Sequence, residues 1–174
     1  MEGPQTAVWG PALWGILHML AEKSGRGDGI VQFGGRWAGP RPPLCHTEER
    51  AAWGRLFVVL KTTLPCPLCK QHYIEYLRSD PPERFMRLVG PIWAEELRQW
   101  VWRFHNAVRV RKEQALDIPY ESLATVYAPN RARFQTWEGV FREHMRRGMF
   151  LRWLIREDML RAMQTLEQLW LFSV

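Results

Sequence analysis

Cysteine is scarce in this chain: three in 174 residues, an odd and small number that excludes a densely cross-linked secreted scaffold. Any disulfide here is expected to work rather than to staple. Long apolar runs are missing too. No stretch approaches the roughly 18 apolar residues of a membrane span, and the opening Met1-Glu2-Gly3-Pro4-Gln5-Thr6 lacks the charged-then-apolar build of a secretory signal peptide. A soluble, non-secreted protein without a transmembrane segment is therefore expected. Strand-like alternation and internal repeats are also absent, which removes sheet-based and solenoid architectures. Positive charge is in mild excess, +6 overall, but the arginines are spread along the chain without a dense basic block, so nucleic acid is not a required partner.

What the chain does have is apolar and aromatic mass. Hydrophobic residues make up 47% and there are ten tryptophans, enough for one domain with a real core plus an appendage. Leu13, Trp14, Leu17, Leu20 and Ala21 recur at helical spacing and predict a first helix over Trp9 to Glu22, with Trp14 and His18 four residues apart on one face. Ser24 to Pro43, rich in Gly, Pro and Arg, predicts a long loop that Cys45-His46 closes, residues 24–46 in all. Thr47-Glu48-Glu49 reads as the capped, acid-first start of a second helix through Trp53, Leu56, Phe57 and Leu60, which Pro65 ends.

A third helix runs from Pro67 to the Asp80-Pro81-Pro82 break. The longest begins near Pro91 and carries Trp93, Leu97, Trp100, Val101, Phe104, His105 and Val108 towards Ala115. A short helix follows between Asp117 and Tyr127. From Arg131 an amphipathic tail repeats every three or four residues, with Gly148 placed to bend or divide it. The fold class expected is all-α, a compact bundle of four or five helices with an additional C-terminal amphipathic segment.

The chemistry concentrates in Leu64-Pro65-Cys66-Pro67-Leu68-Cys69-Lys70-Gln71-His72-Tyr73. Two thiols at this spacing can close on each other, and at a helix start the first sulfur meets unsatisfied N–H groups that favour thiolate. Two chemistries are open. Cys66, Cys69, His72 and either Cys45 or His46 would form a zinc site in a helical interaction module, which leaves Trp14, His18, His105 and Asn106 without a task. A redox dithiol needs no metal, but in an all-helical body it needs a cofactor, because a dithiol has no efficient direct route to dioxygen. The aromatic load and the His105-Asn106 pair are what a flavin pocket would use.

Three motifs occur in order: Trp9-Gly10-Pro11-x-x-Trp14-x-x-x-His18, then Leu64-Pro65-Cys66-Pro67-Leu68-Cys69-x-x-His72-Tyr73, then Trp100-Val101-Trp102-Arg103-Phe104-His105-Asn106-Ala107-Val108. Together they resemble the Erv/ALR family of FAD-linked sulfhydryl oxidases over about residues 9–127, in the style of the short relatives encoded by large DNA viruses. The resemblance implies a helical bundle enclosing FAD in residues 1–128, commonly as a homodimer, with 129–174 as a C-terminal helical extension. It implies the reaction 2 RSH + O2 to RSSR + H2O2, with thiol-containing proteins as substrates.

By the same resemblance Cys66 is the distal sulfur that exchanges with incoming thiols, and Cys69 the flavin-proximal one. Gly10, Trp14 and His18 would line the cofactor from the first helix, and His105, Asn106 and Val108 from the long one. Arg109, Arg111 and Lys112 are the cations available to the FAD phosphates. Four positions depart from the family pattern: Pro11 stands for an arginine, Leu64 for a tyrosine, Arg109 for a second asparagine and Gln114 for a lysine. They leave open a chain that kept the fold without turnover. Cys45 is either a shuttle thiol or incidental. The implied setting is the cytoplasm of an infected host cell, its viral factory and the virion, where ordinary chemistry opposes disulfides. The tail is expected to pack on the bundle or against a partner helix, with membrane contact as the lesser alternative.

Overall fold

The computed structural model describes residues 2–25, 43–116 and 118–172, with 43–46 described by their backbone alone. Most of the expected 24–46 loop lies outside these residues. The elements run α1 (Thr6–Lys23), α2 (Pro43–Thr63), α3 (Pro67–Ser79), α4 (Glu83–Met86), α5 (Gly90–Arg111), a 3-10 turn (Tyr120–Ser122), α6 (Leu123–Val126), α7 (Arg131–Phe150) and α8 (Arg156–Phe172). The all-α class inferred from the missing alternation is the architecture found among the described residues. None of these helices is long and apolar enough to cross a membrane.

Several ends differ from the sequence reading. α1 starts at Thr6, not Trp9, so Pro11 lies inside the helix and leaves the Ala7 carbonyl without its usual donor. α2 starts at Pro43, not Thr47, so Cys45 and His46 belong to its first turn and not to the loop. α5 stops at Arg111, short of Ala115, because Glu113 turns into the left-handed region at φ 53°. The tail is two helices. It divides after Phe150 rather than at Gly148: Arg152 takes φ 59°, and the Trp153 N–H donates to the Gly148 carbonyl at 2.8 Å.

Packing follows from the apolar stripes. α1 lies between α5 and α7, and α2 lies between α3 and α8, so the tail helices cover the faces of α1 and α2 that α3 and α5 leave open. Trp53, Trp93, Trp100, Phe134 and Phe141 are fully buried between these layers, and each large apolar side chain taken from water contributes about 1.5–3 kcal/mol or more. α1 and α7 approach closely because Gly15 has no side chain: a Cβ there would sit 2.5 Å from Cζ3 of Trp137. The far end of α8 is held by Lys23, whose Nζ donates to the Trp170 carbonyl at 3.0 Å and lies 3.5 Å from the centre of the indole ring.

Candidate active site

The turn between α2 and α3 is built by its prolines. Pro65 stops α2, the Cys66 N–H turns back to the Leu64 carbonyl at 2.8 Å, and Pro67 takes the first helical position, where a missing N–H costs nothing. Cys66 becomes the N-cap of α3 with extended backbone, φ −163° and ψ 113°. Its Sγ accepts the Cys69 N–H at 3.1 Å, the helix-end donation expected from the spacing. Cys66 and Cys69 form a disulfide across Cα atoms 5.1 Å apart, and both are half-buried.

The rest of α3 fixes this turn in place. Tyr73 is buried and its hydroxyl donates to the Phe57 carbonyl at 3.0 Å. Burial, with Glu83 adding to it, pushes that phenol far above its ordinary pKa and keeps it a neutral donor. At the other end Asp80 gathers several neighbours: its carboxylate accepts from the Tyr76 hydroxyl at 3.0 Å and from Arg103 at 3.1 Å and pairs with Arg84 at 3.5 Å, and its carbonyl accepts from the Trp100 indole at 2.9 Å. α3 is thereby tied to α2 and α5.

A cavity of about 400 Å³ opens beside the disulfide, between α1, the end of α2, α3 and α5. Its walls are almost wholly apolar: Leu13, Trp14 and Leu17 from α1, Leu60 from α2 and Leu64 just after it, Phe104 and Val108 from α5. Both cysteines belong to the lining, as does Leu68 between them in sequence. The size falls within the roughly 300–1,000 Å³ of small-molecule sites. Arg111 and Lys112 bring positive charge to the lining, and a second cavity of about 420 Å³ shares His72, Phe104, Val108 and Arg111 with the first. Glu75 on α3 accepts from Arg111 at 3.0 Å, and that hydrogen bond, helped by one from Gln71, holds the Glu75 carboxyl below its ordinary pKa.

Of the residues singled out by sequence, Gly10, Trp14, Cys66, Cys69, Val108 and Lys112 line this cavity. His18, His105, Asn106 and Arg109 do not. His18 and His105 are buried one layer behind, His18 Nε2 to His105 Nδ1 3.1 Å, with Trp14 stacked on His105 at 4.2 Å between ring centres. Asn106 is buried beside them in sequence, and Arg109 turns its Nε to the Ala115 carbonyl. Leu13, Leu17, Leu60 and Phe104 are wall residues that the sequence presented only as core, because apolar periodicity reports a buried face without saying whether another side chain or a ligand meets it.

Among the described residues no three His, Cys, Asp or Glu side chains are grouped to hold a metal ion. The zinc reading needs Cys45 or His46, and the shuttle reading needs Cys45; the side chains of both residues lie outside those described. One glycine bears on the cavity's purpose. A Cβ placed on Gly10 meets no neighbouring protein atom nearer than the Thr6 methyl at 4.0 Å, so packing within the chain does not require glycine there. The space it leaves belongs to the cavity.

The tail also reaches the turn that carries the two cysteines. Gly148 on α7 stands against Pro65, where an added Cβ would be 3.3 Å from the proline Cβ and 2.9 Å from Leu154. Lys70, next after Cys69, donates from Nζ to the Trp153 carbonyl. Partial burial lowers the Lys70 pKa, with nearby Asp158 opposing the shift.

Residues 11–125 match the model of the Erv1 / Alr family. Two curated proteins named FAD-linked sulfhydryl oxidase, from two isolates of African swine fever virus, are each 25% identical to the chain over 119 residues, covering 68% of it and 79% of the viral protein. No solved structure matches.

Proposed function

The chain belongs to the Erv1 / Alr family, and from that premise we propose that it is an FAD-linked thiol oxidase, joining pairs of substrate thiols into disulfides with dioxygen as acceptor and hydrogen peroxide as product. The observation that carries this reading is the Cys66–Cys69 disulfide set in the wall of an apolar, cation-edged cavity. The lining suits FAD: an apolar cavity with Trp14 and Phe104, whose rings meet edge-on at 4.8 Å, on its wall for a ring system to pack against, an unfilled space at Gly10, and Arg111 and Lys112 for phosphates. Bound flavin supplies a two-electron acceptor that dioxygen reoxidises.

The protein's own part is sulfur exchange. A substrate thiolate attacks Cys66 Sγ, the Cys66–Cys69 bond breaks, and Cys69 leaves as a thiolate at the cavity wall. A second substrate thiolate then attacks the substrate sulfur of the mixed disulfide, completing the substrate disulfide and releasing Cys66 as thiolate. The Cys69 N–H that points at Cys66 Sγ at 3.1 Å stabilises charge at that sulfur. Trp14, held by His105, supplies a rigid face, and the apolar walls keep water from the reduced pair. The expected setting is the cytoplasm of an infected cell, the substrates are thiol-containing proteins, and the working form is a homodimer.

The test is an absorbance scan of the purified chain after incubation with FAD, followed by peroxide measurement on adding dithiothreitol. A yellow protein that makes peroxide, and no longer does so as Cys66→Ser or Cys69→Ser, is the expected result. Yellow protein without peroxide means a fold retained without turnover, and a colourless protein carrying zinc would replace the reading altogether.

A further inference from the structure

Chemistry requires that a substrate sulfur touch Cys66 in line with its disulfide, so whatever carries that sulfur also lies on the surface around the turn. Redox encounters are small, under about 1,200 Å² in total, or roughly a disc of 14 Å radius on each partner. Pro65 is bonded to Cys66 and packs against Gly148, and Lys70 is hydrogen-bonded to Trp153. The corner between α7 and α8 therefore borders the turn that carries Cys66, within reach of an encounter of that size.

This corner is unusually apolar for a surface turn. Phe150 is 73% exposed and Ile155 59%, with Leu151 and Trp153 also open, and Leu68 between the two cysteines is 58% exposed. Large exposed apolar groups gathered in one place mark interaction sites. Cations are interspersed: Arg146, Arg152 and Arg156 are exposed and make no ion pair among the described residues, whereas Arg142 and Arg147 are paired with Glu138 and Glu143. The corner also lies beyond residues 11–125, the part matched to the family.

We propose that the α7–α8 corner, Phe150 to Ile155 with Leu68, is the docking platform for polypeptide substrates whose cysteines are flanked by apolar and acidic side chains. The inference rests on the thiol-oxidase reading for the identity of the occupant. Apolar groups of the substrate cover Phe150, Trp153 and Ile155, and its carboxylates meet Arg152 and Arg156, which places the substrate cysteine over Cys66. A small dithiol reaches Cys66 without using the corner.

Two readouts test it on the full chain. In the first, fluorescence anisotropy follows a labelled peptide in which serine replaces cysteine between Leu, Phe and Asp residues, and no turnover is needed. Binding is expected to weaken about tenfold in Phe150→Ser/Ile155→Ser and to become selective for Lys-flanked peptides in Arg152→Glu/Arg156→Glu. In the second, with the cysteine peptide as substrate, the ratio of its kcat/KM to that of dithiothreitol is expected to fall about tenfold in both variants. Peptide binding and a ratio that match the parent chain in both variants overturn the proposal. So does a change confined to sedimentation mass, which makes the corner a contact between two copies, or one confined to flotation with anionic vesicles, which makes it a lipid contact. A parent chain that binds the serine peptide through this corner but makes no peroxide with dithiothreitol sinks the oxidase reading and leaves the docking surface standing.

Discussion

Nε2 of His18 on α1 stands 3.1 Å from Nδ1 of His105 on α5, in a buried contact that joins the two helices behind the cavity. Tyr127 stacks on the outer face of His18 at 4.5 Å, and Trp14 stacks on His105 at 4.2 Å. Of these rings only Trp14 lines the cavity, and a positioning role for His105, acting through Trp14, makes a prediction that direct contact with the cofactor does not. His105→Phe keeps an aromatic seat for Trp14 but removes the His18–His105 hydrogen bond, a loss of about 0.5–1.5 kcal/mol. The expected outcome is a lower melting temperature with flavin still visible after gel filtration. Flavin lost at unchanged melting temperature would instead mean that His105 touches the cofactor itself.

The approach of α7 to α1 depends on Gly15. An added Cβ would meet three Trp137 ring atoms at 2.5–2.7 Å, and overpacking of this kind costs about 1–3 kcal/mol. Gly15→Ala is expected to lower the unfolding free energy by that amount. Trp137→Leu in the same chain should recover part of it, because the far end of a ring is replaced by a smaller group. Denaturant unfolding of the two single variants and the double variant checks this; strict additivity would show that the contact does not limit the helix spacing.

The helical class, the order of the long helices up to α5 and the turn between the cysteines were legible in the sequence because each rests on local signals: the period of Leu13, Leu17 and Leu20, the stop at Pro65, the cap at Cys66. The cavity was legible only by its polar and aromatic markers. Trp14 and Lys112 stand in its lining, whereas His18, His105 and Asn106, equally conspicuous in the chain, are buried outside it. Which polar residue faces a cavity and which buttresses it depends on helix rotation set by distant contacts. The closeness of Gly148 to Pro65 is of the same kind. It brings together positions far apart in sequence, and a glycine near a helix end reads locally as a bend or a stop, not as a bearing surface.

Arg111 joins the cavity lining to α3 through its 3.0 Å bond with Glu75. If the pair presents the guanidinium to the FAD phosphates, Arg111→Ala removes a charge-assisted contact worth about 1.5–3 kcal/mol, or roughly tenfold to hundredfold in FAD affinity. Titration of the apoprotein with FAD should show that loss, and the parent's affinity should fall with added salt more steeply than the variant's. Glu75→Gln leaves the cation in place and is expected to change affinity much less. Equal losses in both variants would mean that the position of α3, not the charge of Arg111, sets the affinity.

The start of α1 carries an acid-sensitive contact. Nδ1 of His144 on α7 accepts the Gln5 main-chain N–H at 3.1 Å, so that nitrogen carries no proton in the folded chain. Burial lowers the His144 pKa below the ordinary imidazole value, with Arg147 acting the same way and Glu143 against it. With the folded pKa below the unfolded one, the unfolded chain takes up the proton first as pH falls. The contribution to stability is therefore complete above about pH 6.5 and is lost as pH drops through the folded value. His144→Asn puts a non-titrating acceptor near the same place. Melting temperatures measured from about pH 7 down to about pH 5 should fall more steeply for the parent chain than for His144→Asn, and parallel slopes would show that this histidine does not govern the acid sensitivity of the α1–α7 contact.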